Sequence, residues 1–322
     1  MNNPWNSIEK PTHEFNVRLV SDKHPLKLYW GKDARGGYLF IAQIERDAAP
    51  DTKVLPDLAG IRTAVANASD CARLVLFLND ASNWELFKAL CVDLIRASEK
   101  TKSDAEAIFI IVRRLVRWHE FLKREKDHLL PPEAVKGLIG ELLFLENELA
   151  PHFGWELSVS FWKGPSDAPQ DFAVHDTAVE VKCQSGISKP YIQISSLEQM
   201  DAQLPRFFLV VHTLATAEPD NAASFTLNAL VKRIRVALST TSDASRELFE
   251  SLLFQAGYIL LDAYNEPSFR CVATRVFKVT DCFPRLTSSV VPSGISKVSY
   301  QISMEACTPF ESELAFSQGE TQ

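Results

Sequence analysis

Asp171, Glu180 and Lys182 are the residues whose types and spacing could do chemistry. They lie in a stretch that alternates apolar and polar residues and is interrupted by His175-Asp176-Thr177, which is turn chemistry. Folded as a hairpin centred near Asp176-Thr177, the stretch brings Asp171 opposite Lys182 or its neighbour. Period-two alternation puts Glu180, Lys182 and Gln184 on one face, with Val179, Val181 and Cys183 on the other. Two carboxylates and one ammonium then converge at a strand pair. A hard divalent cation such as Mg²⁺ takes this oxygen set, with water and phosphate oxygens completing its shell. An adjacent lysine can orient an attacking water and stabilise charge on phosphate. The chemistry such a site suits is phosphodiester hydrolysis.

The elements that must position these residues begin at Pro131-Pro132, the expected domain boundary. A helix is expected over residues 133–149 and a strand over 156–162, then a Gly/Pro/Ser loop over 163–170. Strands at 171–174 and 178–184 form the hairpin. A short helix over 195–203 and an apolar strand over 206–212 complete an α-β-β-β-α-β order. Upstream, strands are expected at 13–20, 26–30, 37–44 and 73–78. Helices at 84–98 and 104–126 follow, the second with Ser103 as N-cap. Downstream come helices at 224–239 and 244–256, and strands at 258–263, 269–279 and 297–303. The expected domains are an N-terminal α+β domain (1–130), a core (131–240) and a β-rich C-terminal α+β extension (241–322).

Asp171 followed by Glu180-Val181-Lys182 in this order of elements resembles the PD-(D/E)xK nuclease superfamily, with its restriction-endonuclease-like α/β fold and mixed sheet. With Gly137-Leu138-Ile139-Gly140-Glu141 and Ile194-Ser195-Ser196-Leu197-Glu198-Gln199, the chain is similar to a bacterial group of PD-(D/E)xK motif proteins encoded beside restriction and phage-defence genes. The superfamily resemblance covers about residues 130–215 and the narrower one, more weakly, most of the chain. It implies Asp171 and Glu180 as metal ligands and Lys182 as the catalytic lysine. It also implies Glu141 as a further metal-binding carboxylate from the preceding helix, and Gln199 as a helper. Gln170 stands directly before Asp171, where the motif has proline; Pro169 is one place earlier. The implied cofactor is Mg²⁺, with Mn²⁺ as a substitute, and the implied substrate is DNA. ATPase or methyltransferase subunits and a homodimer are compatible with the same resemblance.

Helical periodicity by itself leaves the helical carboxylate open. Leu138, Ile139, Leu142, Leu143, Leu145 and Leu149 form an apolar arc into which Glu146 points, while Glu141 sits at its edge beside Gly137 and Gly140. Glycines there allow close approach of another backbone or a substrate. His175-Asp176 lacks the further His and Asp ligands of a metal phosphohydrolase and reads as a turn. Phosphate-binding P-loop, serine-nucleophile and zinc-protease signatures are absent, so no nucleotide-driven motor is encoded in this chain.

Basic residues cluster twice, as Arg113, Arg114, Arg117, Lys123, Arg124 and Lys126, and as Lys232, Arg233 and Arg235. Such stripes can contact phosphates, with Trp118 and Phe121 stacking on bases. A solvated face with Trp118 packed inward is the better reading, because Glu120, Glu125 and Asp127 interleave. Lys189 and Arg206 are alternative phosphate contacts. The net charge of −7 argues against a general nucleic-acid coat, though not against one local basic groove. Six dispersed cysteines without a CxxC pair read as buried, reduced thiols of a cytoplasmic protein. Neither a signal peptide nor an apolar run of membrane-spanning length is visible. The expectation is a Mg²⁺-dependent DNA endonuclease of bacterial restriction or phage defence. Its alternative is a non-catalytic DNA- or partner-binding subunit with the same fold.

Overall fold

The computed structural model describes residues 2–68, 70–124, 129–166, 168–186, 190–218, 222–295 and 297–316. The chain forms two compact units, residues 1–128 with 259–262, and residues 129–258 with 263–322. Among the described residues no helix is long and apolar enough to cross a membrane.

The first unit is an antiparallel sheet of β1 (Phe15–Leu19), β2 (Lys27–Asp33), β3 (Tyr38–Ile44), β4 (Ile61–Asn67) and β5 (Ala72–Leu78), followed by helices α1 (Trp84–Ala97) and α2 (Asp104–Arg124). The strands lie in the order β1-β2-β3-β5-β4. Sequence patterning misses β4, whose Arg62-Thr63-Ala64 stretch carries little apolar alternation. Buried Trp5 stacks on Tyr38 and Phe87, and its indole donates to the Leu39 carbonyl at 2.8 Å. Ser103 caps α2 as expected, accepting from the Glu106 N–H.

The second unit opens with α3 (Pro132–Phe144), with Pro132 in its first turn. It continues through a π-helical turn at Leu145–Leu149 into α4 (Ala150–Phe161), broken at Gly154, whose φ of 73° only glycine adopts readily. The strand expected over 156–162 is therefore helix, because a seven-residue alternating run fits either period and only Trp162 finds a strand partner, Phe172. Strands β6 (Phe172–Val174), β7 (Thr177–Ser185), β8 (Tyr191–Ile194) and β9 (Arg206–Thr216) follow, then helices α5 (Leu227–Leu238) and α6 (Asp243–Gln255). The chain ends in β10 (Phe269–Lys278), β11 (Tyr300–Ser303) and the short α7 (Met304–Cys307).

The main sheet runs β10-β9-β7-β6, with β7 and β9 parallel and the other pairs antiparallel. The unit is thus mixed α/β, as expected, but its order of elements departs from α-β-β-β-α-β. The short helix expected over 195–203 is only a 3₁₀ turn at Glu198–Met200, ahead of which the Gln199 carboxamide oxygen accepts the Ser195 N–H. The segment expected as a C-terminal extension supplies β10 to the main sheet, and β11 pairs with β8. Residues 258–261 are not strand.

One face of the main sheet packs Ala178, Phe207, Leu209, Val211 and Phe277 against Ile192, Ile194, Phe283, Ile302 and Met304. On the other face α3 approaches β7 so closely that a Cβ on Gly140 would sit 2.5 Å from Cys183 Sγ and 3.3 Å from Val181 Cγ1. Gly137 meets nothing within 4 Å, so close approach depends on Gly140 alone of the two. Replacing a helical glycine by alanine gains about 1 kcal/mol of propensity, whereas overpacking a fitted contact costs about 1–3 kcal/mol. Gly140→Ala is therefore expected to destabilise the wild-type chain by about 1 kcal/mol and to become neutral or stabilising in a Cys183→Ala background. Urea denaturation of the wild type, the two single variants and the double variant measures both.

Candidate active site

The hairpin β6–β7 turns through two residues, His175 and Asp176, with Val174 paired to Thr177 and Phe172 to Val179. His175 has φ 53°, the left-handed conformation that the first central residue of a tight hairpin turn adopts. His175 and Asp176 are thus turn residues, and the His175 ring packs against Phe153 and Phe161. The turn lies one residue earlier than the expected centre. Register continued from Phe172–Val179 therefore brings Asp171 level with Glu180 rather than Lys182. Asp171 Oδ2 accepts the Val181 N–H at 2.8 Å.

Glu180 is buried, with 1% of its surface exposed, in the middle of the sheet. Lys182 Nζ lies 2.8 Å from Glu180 Oε1 and donates to Gln199 Oε1 at 3.0 Å. That ion pair on Oε1 is the contact Glu180 has, and Oε2 is buried with no hydrogen-bond partner. From α3, Glu141 Oε2 accepts the Trp162 indole N–H at 2.7 Å. Glu141 and Asp171 flank one point: a Cβ on Gly164 would lie 3.0 Å from Glu141 Oε2 and 2.8 Å from Asp171 Oδ1. The structure so brings Glu141, Asp171, Glu180, Lys182 and Gln199 together. It does not bring Glu146, which forms a two-pronged ion pair with Arg233.

Three recessed carboxylates against one ammonium distort their proton affinities. Burial, then the Asp171 charge, pushes the Glu141 carboxyl up to about 8, against the Trp162 indole and Lys182. Burial likewise pushes Asp171 up to about 6, with Lys182 and the Val181 N–H opposing. Glu180 is held well above the carboxylate range, by burial first and Asp171 second. A bound cation would relieve all three. Among the described residues no three His, Cys, Asp or Glu side chains already form a metal cage. Mg²⁺ does not require one, since it binds through one or two carboxylates plus water and phosphate. Glu180 Oε2, buried without a hydrogen-bond partner, and the space beside Gly164 fit such an ion.

The basic stripes are largely committed elsewhere. Arg114 lies 3.6 Å from Asp93 and Lys123 3.6 Å from Glu120, and Arg235 grips Glu250. Trp118 is buried, with its indole on Asp93, so it offers no stacking face. Arg206 donates to the Ala315 carbonyl, while Lys126 and Lys189 lie outside the described residues. The six cysteines are unpaired, but Cys271 and Cys282 are exposed rather than buried. Sequence reasoning missed Trp162 and Gly164. The Gly/Pro/Ser composition of 163–170 marks a loop there, but no spacing rule announces an indole as a carboxylate's donor.

A helix carboxylate, a half-buried hairpin Asp, a buried Glu and a lysine thus converge on a mixed α/β sheet. The chain belongs to the family whose model is described as "Putative PD-(D/E)XK family member, (DUF4420)", which matches residues 1–305. No curated protein and no solved structure matches it.

The raised carboxyls make stability depend on pH. Between about pH 4.5 and 8 the folded chain binds more protons at Glu141, Asp171 and Glu180 than the unfolded chain does, so this contribution to stability falls as pH rises. In chelator, the melting temperature is expected to be lower at about pH 8 than at about pH 5.5. Glu180→Gln, which keeps the shape and removes the charge, should raise it at pH 8. A melting temperature independent of pH in both proteins would refute this.

Proposed function

We propose that the chain is a divalent-metal-dependent nuclease, a DNA endonuclease acting in bacterial restriction or phage defence. The observation that carries the reading is Glu180, buried between Asp171 and Lys182 with Oε2 left without a hydrogen-bond partner. Burying a carboxylate with one oxygen on a single shared ammonium and the other without a donor costs several kcal/mol, a cost that a stability-only role for the residue does not offset. The PD-(D/E)XK family membership supports the same chemistry.

Asp171, Glu180 and Glu141 would hold the ion, with Mg²⁺ the natural occupant and Mn²⁺ a substitute. When bound, the ion supplies Lewis-acid polarisation of a phosphate oxygen and a lower pKa for water. Lys182 carries three N–H donors, of which Gln199 takes one. Another can orient the attacking water or meet charge developing on the phosphate. Gln199 holds the ammonium in place, itself anchored through the Ser195 N–H. DNA as substrate, a homodimer, and ATPase or methyltransferase partners are parts of the proposal that rest on the resemblance.

Plasmid and single-stranded DNA cleavage by the purified chain, with Mg²⁺ or Mn²⁺ against EDTA, tests the reading. Cutting is expected with metal only, and Lys182→Ala is expected to lower the rate by about 10²-fold or more, the scale of a lost electrostatic or proton-transfer group. Metal binding at Asp171 and Glu180 without cutting would favour a binding subunit or a missing partner. Neither binding nor cutting would overturn the catalytic reading.

A further inference from the structure

The segment directly after α4 touches both of the carboxylates that flank Gly164. Trp162, buried at 1% exposure, bridges Phe172 and donates its indole N–H to Glu141 Oε2 at 2.7 Å. The Lys163 and Gly164 N–H groups donate to the Asp171 carbonyl at 2.7 and 3.0 Å. Three consecutive residues so fix the backbone of Asp171 and one oxygen of Glu141. The Val181 N–H occupies Asp171 Oδ2, which leaves Oδ1 as the oxygen that faces Gly164.

Backbone conformation does not explain the glycine at 164, because its φ lies outside the left-handed region. Space does. A Cβ there would meet Asp171 Oδ1 at 2.8 Å, Glu141 Oε2 at 3.0 Å and Asp171 Cα at 3.3 Å, whereas Gly60, Gly137, Gly154 and Gly294 have nothing within 4 Å of theirs. Buried Glu180, whose Oε2 has no hydrogen-bond partner, lies beside the same charges. Resting on the metal-nuclease reading above, we propose that Trp162 and Gly164 are the positioning residues of the cation site. Gly164 keeps free the space through which Asp171 and Glu141 share an ion, and Trp162 aims Glu141 into it. Donors that tie down ligating carboxylates contribute about 10–100-fold to metal affinity in comparable sites.

The test is Mn²⁺ binding to the full chain, followed by electron paramagnetic resonance and by the shift in melting temperature, with Asp171→Asn as the control. Gly164→Ala is expected to weaken Mn²⁺ binding at least about 10-fold, with the metal-free melting temperature within about 3 °C of wild type. Trp162→Phe is expected to weaken it by about 10-fold, and to add no further loss in a Glu141→Gln background, because it acts through Glu141. If Gly164→Ala does not fold, the Trp162 and Glu141 cycle decides. Wild-type binding with both variants equal to it would overturn this proposal alone. Wild-type chain that takes up no Mn²⁺ sensitive to Asp171→Asn would sink the metal-nuclease reading, and this proposal with it.

Discussion

Three carboxyl groups recessed beside a single ammonium set the terms for the second unit. Removing a charge from water costs several kcal/mol even after relaxation, and one Lys182 cannot compensate Glu141, Asp171 and Glu180 together. The folded chain answers in part by raising the proton affinity of all three. Such an arrangement persists only when stronger packing surrounds it. Here that packing is the apolar layer of Phe207, Leu209, Val211 and Phe277 on one face of the sheet. On the other, α3 lies against Val181 and Cys183.

Proximity in this site comes from missing atoms as much as from contacts. Gly140 lets α3 approach β7, and Glu141 is the next residue on that helix. A Cβ at 140 would push the helix, and Glu141 with it, away from the hairpin. Gly164 leaves room at the point that Asp171 and Glu141 flank. Hydrogen bonds complete the arrangement: Trp162 and Val181 donate to Glu141 and Asp171, and Gln199 accepts from Lys182, so each holds one charged side chain in place. Without them, mutual repulsion would spread the carboxylates apart.

Part of the charge elsewhere is paired locally. Arg233 and Arg235, which look from the sequence like a phosphate-binding stripe, each close on a glutamate two-pronged, Arg233 on Glu146 and Arg235 on Glu250. Two-pronged pairing of arginine with a carboxylate is among the stronger surface interactions, and it lowers the positive field available to a polyanion. The same pairing removes Glu146 from the carboxylate site, so one ion pair both spends a basic residue and separates two candidate acids.

The order of residue types by itself determined the hairpin and the candidate residues on it. Alternation across Val179, Glu180, Val181 and Lys182 requires a strand with its charges on one face, and a tight turn before it requires a hairpin, because both are local properties of the backbone. The helix from Pro132 and the apolar strand β9 were equally legible from proline placement and an unbroken apolar run. What only the tertiary structure decided depends on distant partners. The turn at His175-Asp176 shifted the register and brought Asp171 level with Glu180. Residues 156–161 became helix because only Trp162 found a strand partner, and β10 joined the main sheet from a segment that reads as separate. Periodicity leaves open whether Glu141, at the edge of the apolar arc, or Glu146, pointing into it, meets the hairpin; in the structure Glu146 closes on Arg233 and Glu141 on Trp162. Local pattern fixes which face a side chain takes; its partner is set by packing between elements far apart in the chain.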